Sequence, residues 1–143
     1  MEEHKEEILE TISRLCEAYD KKNFLVVKTC LTDQVDVHFV SPQKTKSNLY
    51  QANEFAKSRE QALKDLDTEH LHLNHRIKGD KKAAVCLCDF ETYRYSNSQT
   101  DYYHSFGQYE YELLNTEEGW KIKTIREKTT RTEGNHTIHN IYL

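Results

Sequence analysis

The sequence predicts an α+β domain, with three helices towards the front and an antiparallel sheet behind them. Two observations predict it. Apolar residues recur at a spacing of 3–4 over residues 4–20 and 52–67, then alternate with period two from Glu69 onward. The alternating runs are joined by short turn signals, Gly79-Asp80, Ser96-Asn97-Ser98-Gln99 and Thr116-Glu117-Glu118-Gly119, as hairpin-linked strands require.

Each element has its own justification. Ile8, Leu9, Ile12, Leu15, Cys16 and Tyr19 form one stripe of a first helix, and Glu2, Glu3, Glu6 and Glu7 suit its positive N-terminal end. Asp20-Lys21-Lys22-Asn23 breaks the stripe, and a short second helix carries Phe24, Leu25, Val27, Cys30 and Leu31. Val35, Val37 and Phe39 then alternate with Asp36 and His38 in a half-buried strand that Ser41-Pro42 ends. Residues 43–50 read as a loop with a short strand around Leu49-Tyr50. Phe55, Ala62, Leu63 and Leu66 mark a third helix over 52–67, with Ser58 and Gln61 as an internal capping box. Strands follow over 70–78, 83–95, 102–115 and 120–130. The 131–143 tail, with Ile138, Ile141, Tyr142 and Leu143, is expected to add a strand or cross to a partner chain.

With 143 residues, the chain is expected to be one domain over 1–143, its core about 5–130. Nine Tyr, five Phe and one Trp supply bulky core material despite only 36% apolar residues. Net charge is −4, and the most basic stretch (Lys121, Lys123, Arg126, Lys128, Arg131) is interrupted by Glu127, so a nucleic-acid partner is not expected. No apolar run is long enough to cross a bilayer, and Met1-Glu2-Glu3-His4 is unlike a signal peptide. No membrane partner and a cytoplasmic location are expected. Cys16, Cys30, Cys86 and Cys88 read as reduced, buried thiols, and Cys86-x-Cys88 is a weak zinc signal, since a structural site needs four ligands. His70-Leu71-His72-Leu73-Asn74-His75 resembles a metallo-β-lactamase motif with Asn in place of Asp. No metal is expected, and without a Gly-rich phosphate loop no nucleotide cofactor either.

Four local patterns resemble the SnoaL-like branch of the nuclear transport factor 2-like superfamily. They are Tyr19-Asp20-Lys21-Lys22-Asn23-Phe24 with Leu31-Thr32-Asp33; His70-x-x-x-Asn74-x-x-Ile77 with Gly79-Asp80 and Ala83; Gly107-x-Tyr109; and Gly119-Trp120-x-Ile122. The resemblance implies a curved antiparallel sheet wrapped around three helices, enclosing a conical pocket and dimerising through its outer face. It also implies a pocket for a hydrophobic small molecule, in a cyclase, dehydratase or isomerase or in a non-catalytic binding or assembly module.

Tyr19, Asp20 and His70 resemble the Tyr-Asp pair and strand histidine of scytalone dehydratase-like members, and are the candidate catalytic residues. A hydroxyl, a carboxylate and an imidazole together can polarise a carbonyl and move a proton. The ketosteroid isomerase pattern is not met, because Ser41 rather than Asp precedes Pro42. Phe39, Asn74, Asp89, Tyr93, Tyr109, Trp120 and Arg126 are the candidate substrate-binding residues. Parity puts Tyr103, Ser105, Gly107, Tyr109 and Tyr111 on the helix-covered side. Asp89, Glu91 and Tyr93 share a face with Val85 and Leu87. Arg126 shares one with Trp120 and Ile122, and would pair Asp89 or Glu91 if it points inward.

Overall fold

A computed structural model describes residues 2–139. Helix α1 (Glu2–Asp20) and the short α2 (Phe24–Thr29) lead into strands β1 (Leu31–Val40) and β2 (Thr45–Gln51). Helix α3 (Ala52–Leu63) precedes β3 (Leu66–Gly79), β4 (Ala83–Ser96), β5 (Tyr102–Thr116) and β6 (Gly119–Gly134), and a 3-10 turn follows at His136–Ile138. The six strands form one sheet in the order β2-β1-β6-β5-β4-β3. The fold is the expected α+β arrangement, with one exception to its antiparallel pairing: β1 runs parallel to β6. Among the described residues no helix is long and apolar enough to cross a membrane.

Several boundaries differ from the sequence reading. Leu66 opens β3 instead of closing α3. The capping box lies at the start of α3, where the Gln51 amide donates to Glu54 Oε1 at 3.0 Å, rather than at Ser58. Residues 45–51 form a full edge strand although their burial is low. In the tail, β6 continues to Gly134. Ile141, Tyr142 and Leu143 lie outside the described residues.

The helices cover one face of the sheet. Ile8, Ile12, Leu15 and Tyr19 of α1 and Phe55 and Leu63 of α3 pack on Val35, Val37, Phe90, Tyr111, Leu113 and Ile122. The end of α1 is fixed by backbone bonds: Asn23 N–H donates to Ala18 O at 2.8 Å and Lys22 N–H to Tyr19 O at 3.2 Å, with Lys22 left-handed at φ 57°. This double closure is a Schellman cap, and it sets where Tyr19 and Asp20 stand.

Three β-bulges decide which residues face the helices. One extra residue in β3 between Leu73 and Arg76, with Asn74 at φ 56°, interrupts pairing to β4. In β6, Lys123 is extra opposite Glu112–Leu113, and Thr130 is extra opposite Phe106–Gly107. Each extra residue exchanges the two faces of its strand beyond that point. In β6 the inward residues therefore change from Trp120 and Ile122 to Ile125 and Thr129.

Gly107 sits beside the second β6 bulge, and a Cβ there would lie 1.9 Å from Lys128 O and 2.9 Å from the Phe90 ring. Gly107→Ala is expected to cost about 1–3 kcal/mol, as overpacking of a tight site does. Chemical denaturation would read this as a lower midpoint with an unchanged slope. An unaltered midpoint would show that the strands part without cost.

Candidate active site

A cleft between α1, α3 and the inner sheet face is lined by Tyr19, Phe39, Phe55, His70, Tyr109 and Glu127, among others. Its empty volume is about 620 Å³, counting the part open to solvent, but the space open to the centre of a water molecule is about 40 Å³. The cavity is narrow, and aromatic rings form much of its wall.

Asp20, the last residue of α1, is the hub of the site. A carboxylate at a helix C-terminus meets the negative end of the dipole, so its placement needs compensation. Three donors supply it: His70 Nδ1 lies 2.6 Å from Oδ1, the His70 amide donates to Oδ2 at 2.9 Å, and Thr68 Oγ1 donates to Oδ1 at 2.9 Å. Burial alone would raise the Asp20 carboxyl, but the hydrogen bonds from the His70 ring and amide and from Thr68 oppose it, and the group is held below its ordinary value. Asp20 is therefore an acceptor, which assigns the Nδ1 proton to His70 and leaves its Nε2 lone pair available.

The His70 side chain is only 7% exposed. Its burial pushes the imidazole pKa down, against the hydrogen bond and charge of Asp20, so the neutral ring is the resting form. The Tyr19 ring lies 5.2 Å from it, and burial raises the Tyr19 hydroxyl far above its usual range. His72, two residues on along β3, faces inward as well. Its Nε2 is 2.7 Å from Tyr111 Oη, its ring stacks on Tyr109 at 5.0 Å, and burial pushes its pKa down to about 3. Cys16 Sγ is 3.4 Å from His72 Nδ1, but burial raises that thiol too far for it to ionise at neutral pH.

These observations define a sheet-and-helix cavity with a half-buried carboxylate paired to a buried imidazole, and the comparisons agree with the fold. The SnoaL-like domain family matches residues 2–126. The chain belongs to that family. No curated protein matches it. Among solved structures, the Kfla4162 protein of Kribbella flavida is 18% identical with a TM-score of 0.89, the match covering 96% of this chain and 97% of that one. A protein described as scytalone dehydratase-like from Novosphingobium aromaticivorans is 16% identical at a TM-score of 0.79, covering 92% and 87%. A type 2 hexachlorocyclohexane dehydrochlorinase, LinA, is 14% identical at a TM-score of 0.75, covering 95% and 91%.

In this SnoaL-like domain Tyr19, Asp20 and His70 come together, and Phe39 and Tyr109 share their cavity. The other candidate binding residues do not. Asn74 sits in the β3 bulge and donates to Asp89 Oδ2 at 2.8 Å on the outer face. Tyr93 is also outer and bonds Glu91. Asp89 and Tyr93 are displaced because the inner face of β4 is Ala84, Cys86, Cys88, Phe90, Thr92 and Arg94, opposite in parity to Val85 and Leu87. Arg126 is turned outward by the Lys123 bulge and pairs Glu110 at 2.6 Å, and Glu112, rather than Asp89 or Glu91. Trp120 is buried beneath α1, where Thr11 Oγ1 donates to its carbonyl at 3.2 Å, and does not line the cavity. Among the described residues no three His, Cys, Asp or Glu side chains are grouped to hold a metal ion.

Arg59, Arg94 and Glu127 line the same cavity and were not singled out from the sequence. A helical signal pointed to Arg59, which stands at i+4 between Phe55 and Leu63. Arg94 follows Phe90 and Thr92 on one face, while Glu127 is legible only once the Lys123 bulge is known.

His70 and His72 are both held neutral in the fold and take up protons readily when unfolded. A depressed histidine contributes stability that is complete above its unfolded pKa near 6.5 and is lost as pH falls below it. Thermal denaturation is therefore expected to show a lower midpoint at pH 5 than at pH 7, with His72 alone costing about 1.4 kcal/mol of stability per pH unit below 6.5 and His70 acting in the same direction. His72→Gln should flatten the dependence. A midpoint independent of pH over that interval would contradict the assigned neutral rings.

Proposed function

We propose that this domain is an acid/base enzyme acting on a hydrophobic carbonyl or hydroxy compound, as a dehydratase, cyclase or isomerase. The observation that carries the reading is the Asp20–His70 pair, in which a buried neutral imidazole has its proton anchored on a carboxylate and borders the cavity. Asp20 fixes the tautomer and stabilises the imidazolium that forms, and His70 Nε2 is the general base. For a dehydration, Nε2 takes the proton from the carbon beside the substrate carbonyl. The C–H electron pair becomes the C=C bond as the C–O bond to the β-hydroxyl breaks. The imidazolium then returns its proton to the departing oxygen, releasing water with no change of oxidation state. The Tyr19 hydroxyl, kept protonated by burial, polarises the carbonyl. Two structural neighbours named for a dehydratase and a dehydrochlorinase support an elimination. With a panel of β-hydroxy ketones, His70→Ala is expected to lower kcat/KM by about 10²-fold or more. Asp20→Asn should lower kcat with little change in KM. Equal turnover by wild type and His70→Ala would remove the catalytic role.

The narrowness of the cavity favours a second reading, a non-catalytic binding or assembly module of the same fold. In either reading we propose that two copies pair through the outer sheet face, where Leu71, Leu73 and Leu87 are 38%, 44% and 36% exposed. Sedimentation at micromolar concentration should give about twice the 17.0 kDa chain mass, and Leu87→Lys should shift it towards one chain. A wild-type species of single-chain mass would end the dimer proposal.

A further inference from the structure

The cavity holds more positive charge than the acid/base reading uses. Arg94 is 6% exposed, and its Nη1 donates to Ser105 Oγ at 3.0 Å while the guanidinium lies 5.3 Å from the Tyr103 ring centroid. Its Nε is buried and has no acceptor among the described residues. Arg59, projecting from α3 over the Phe55 ring at 5.7 Å, has both Nε and Nη2 buried and without an acceptor. A buried guanidinium N–H without an acceptor is costly, so these donors call for one.

The nearby carboxylates are already engaged. Glu127 accepts from the Tyr109 hydroxyl at 2.6 Å and from Thr129 Oγ1 at 3.2 Å, and makes no ion pair with either arginine among the described residues. Asp20 is held by His70 and Thr68. Among the described residues nothing supplies the missing acceptor, and a ligand would bring one. Glu127 offsets one of the two guanidinium charges, so a monoanion fits better than a phosphate dianion. The planar, multidentate donor set matches a carboxylate, and the surrounding Phe39, Phe55 and Tyr109 favour an apolar body on the same molecule.

We propose that Arg59 and Arg94 form a carboxylate-binding subsite, and that the ligand of this cavity is a small hydrophobic carboxylic acid. The inference rests on the cavity being the ligand site and names its substrate class. It is independent of which proton His70 moves.

Benzoate and its uncharged isostere benzamide test it, read by thermal shift and by amide chemical-shift titration of the whole chain. Benzoate is expected to bind and raise the melting temperature, and benzamide to do neither. Arg59→Gln should weaken benzoate by about tenfold or more, and Arg94→Gln at least as much. If Arg94→Gln does not fold, Arg59→Gln alone decides. His70→Ala should retain benzoate binding. Equal effects of benzoate and benzamide, no benzoate binding, unchanged affinity in Arg59→Gln, or tighter binding of inorganic phosphate would each overturn the subsite. His70-dependent turnover without benzoate binding would leave the acid/base reading standing and remove only this inference. Benzoate binding without any turnover would do the reverse.

Discussion

The site depends on one carboxylate at the end of one helix. Asp20 closes α1 and accepts from both the backbone and the ring of His70, so it ties that helix to the outer edge of the sheet as well as setting the imidazole. Each charge-assisted bond of this kind contributes about 1.5–3 kcal/mol. The Schellman cap at Lys22–Asn23 is what holds Asp20 in reach of β3. Packing of Ile8, Ile12 and Leu15 against the sheet places the helix, and the cap then fixes its end. The candidate chemistry is thus built from an element boundary, where a short-range backbone constraint converts helix placement into side-chain geometry.

Much of this was legible from residues alone, for reasons specific to each segment. The α1 stripe and the alternation in β1 and β5 are strong periodic signals, and they placed Tyr19, Phe39 and Tyr109 on the cavity side. The outer-face placement of Asn74, Asp89, Tyr93 and Arg126 was not legible. In β4 both faces carry apolar residues, Val85 and Leu87 against Ala84, Cys86, Cys88 and Phe90, so hydrophobicity does not select between them. In β6 the alternation is real on each side of Lys123, but the inserted residue reverses it. A bulge leaves no mark that a single sequence can reveal when the extra residue is a lysine or a threonine rather than a glycine.

The same bulges give the cavity its character. Without the extra residue at Lys123, Arg126 rather than Glu127 would face inward, and Tyr109 would lose the carboxylate that accepts its hydroxyl. The bulge at Thr130 needs Gly107, whose missing Cβ lets Phe90 and the Lys128 carbonyl close in. Register in this sheet is therefore a determinant of site charge, since a shift of one residue in β6 exchanges a carboxylate for a guanidinium at the cavity wall.

The electrostatic balance of the interior follows from these choices. Arg94, Tyr109, Tyr111, His70 and His72 are all ionisable and all withdrawn from water, and each is displaced towards its neutral form by burial. For the histidines and tyrosines neutrality removes the cost, and their hydrogen bonds and ring stacking make them serve as core. A guanidinium has no such escape at neutral pH, because even a lowered arginine stays protonated. Arg94 is therefore the one member of the set whose burial is not relieved by losing its charge, and its bond to Ser105 and its stacking on Tyr103 offset only part of that cost. A fold that retains a charged group under those terms gives up stability at that position, a cost that an anionic ligand would offset on binding.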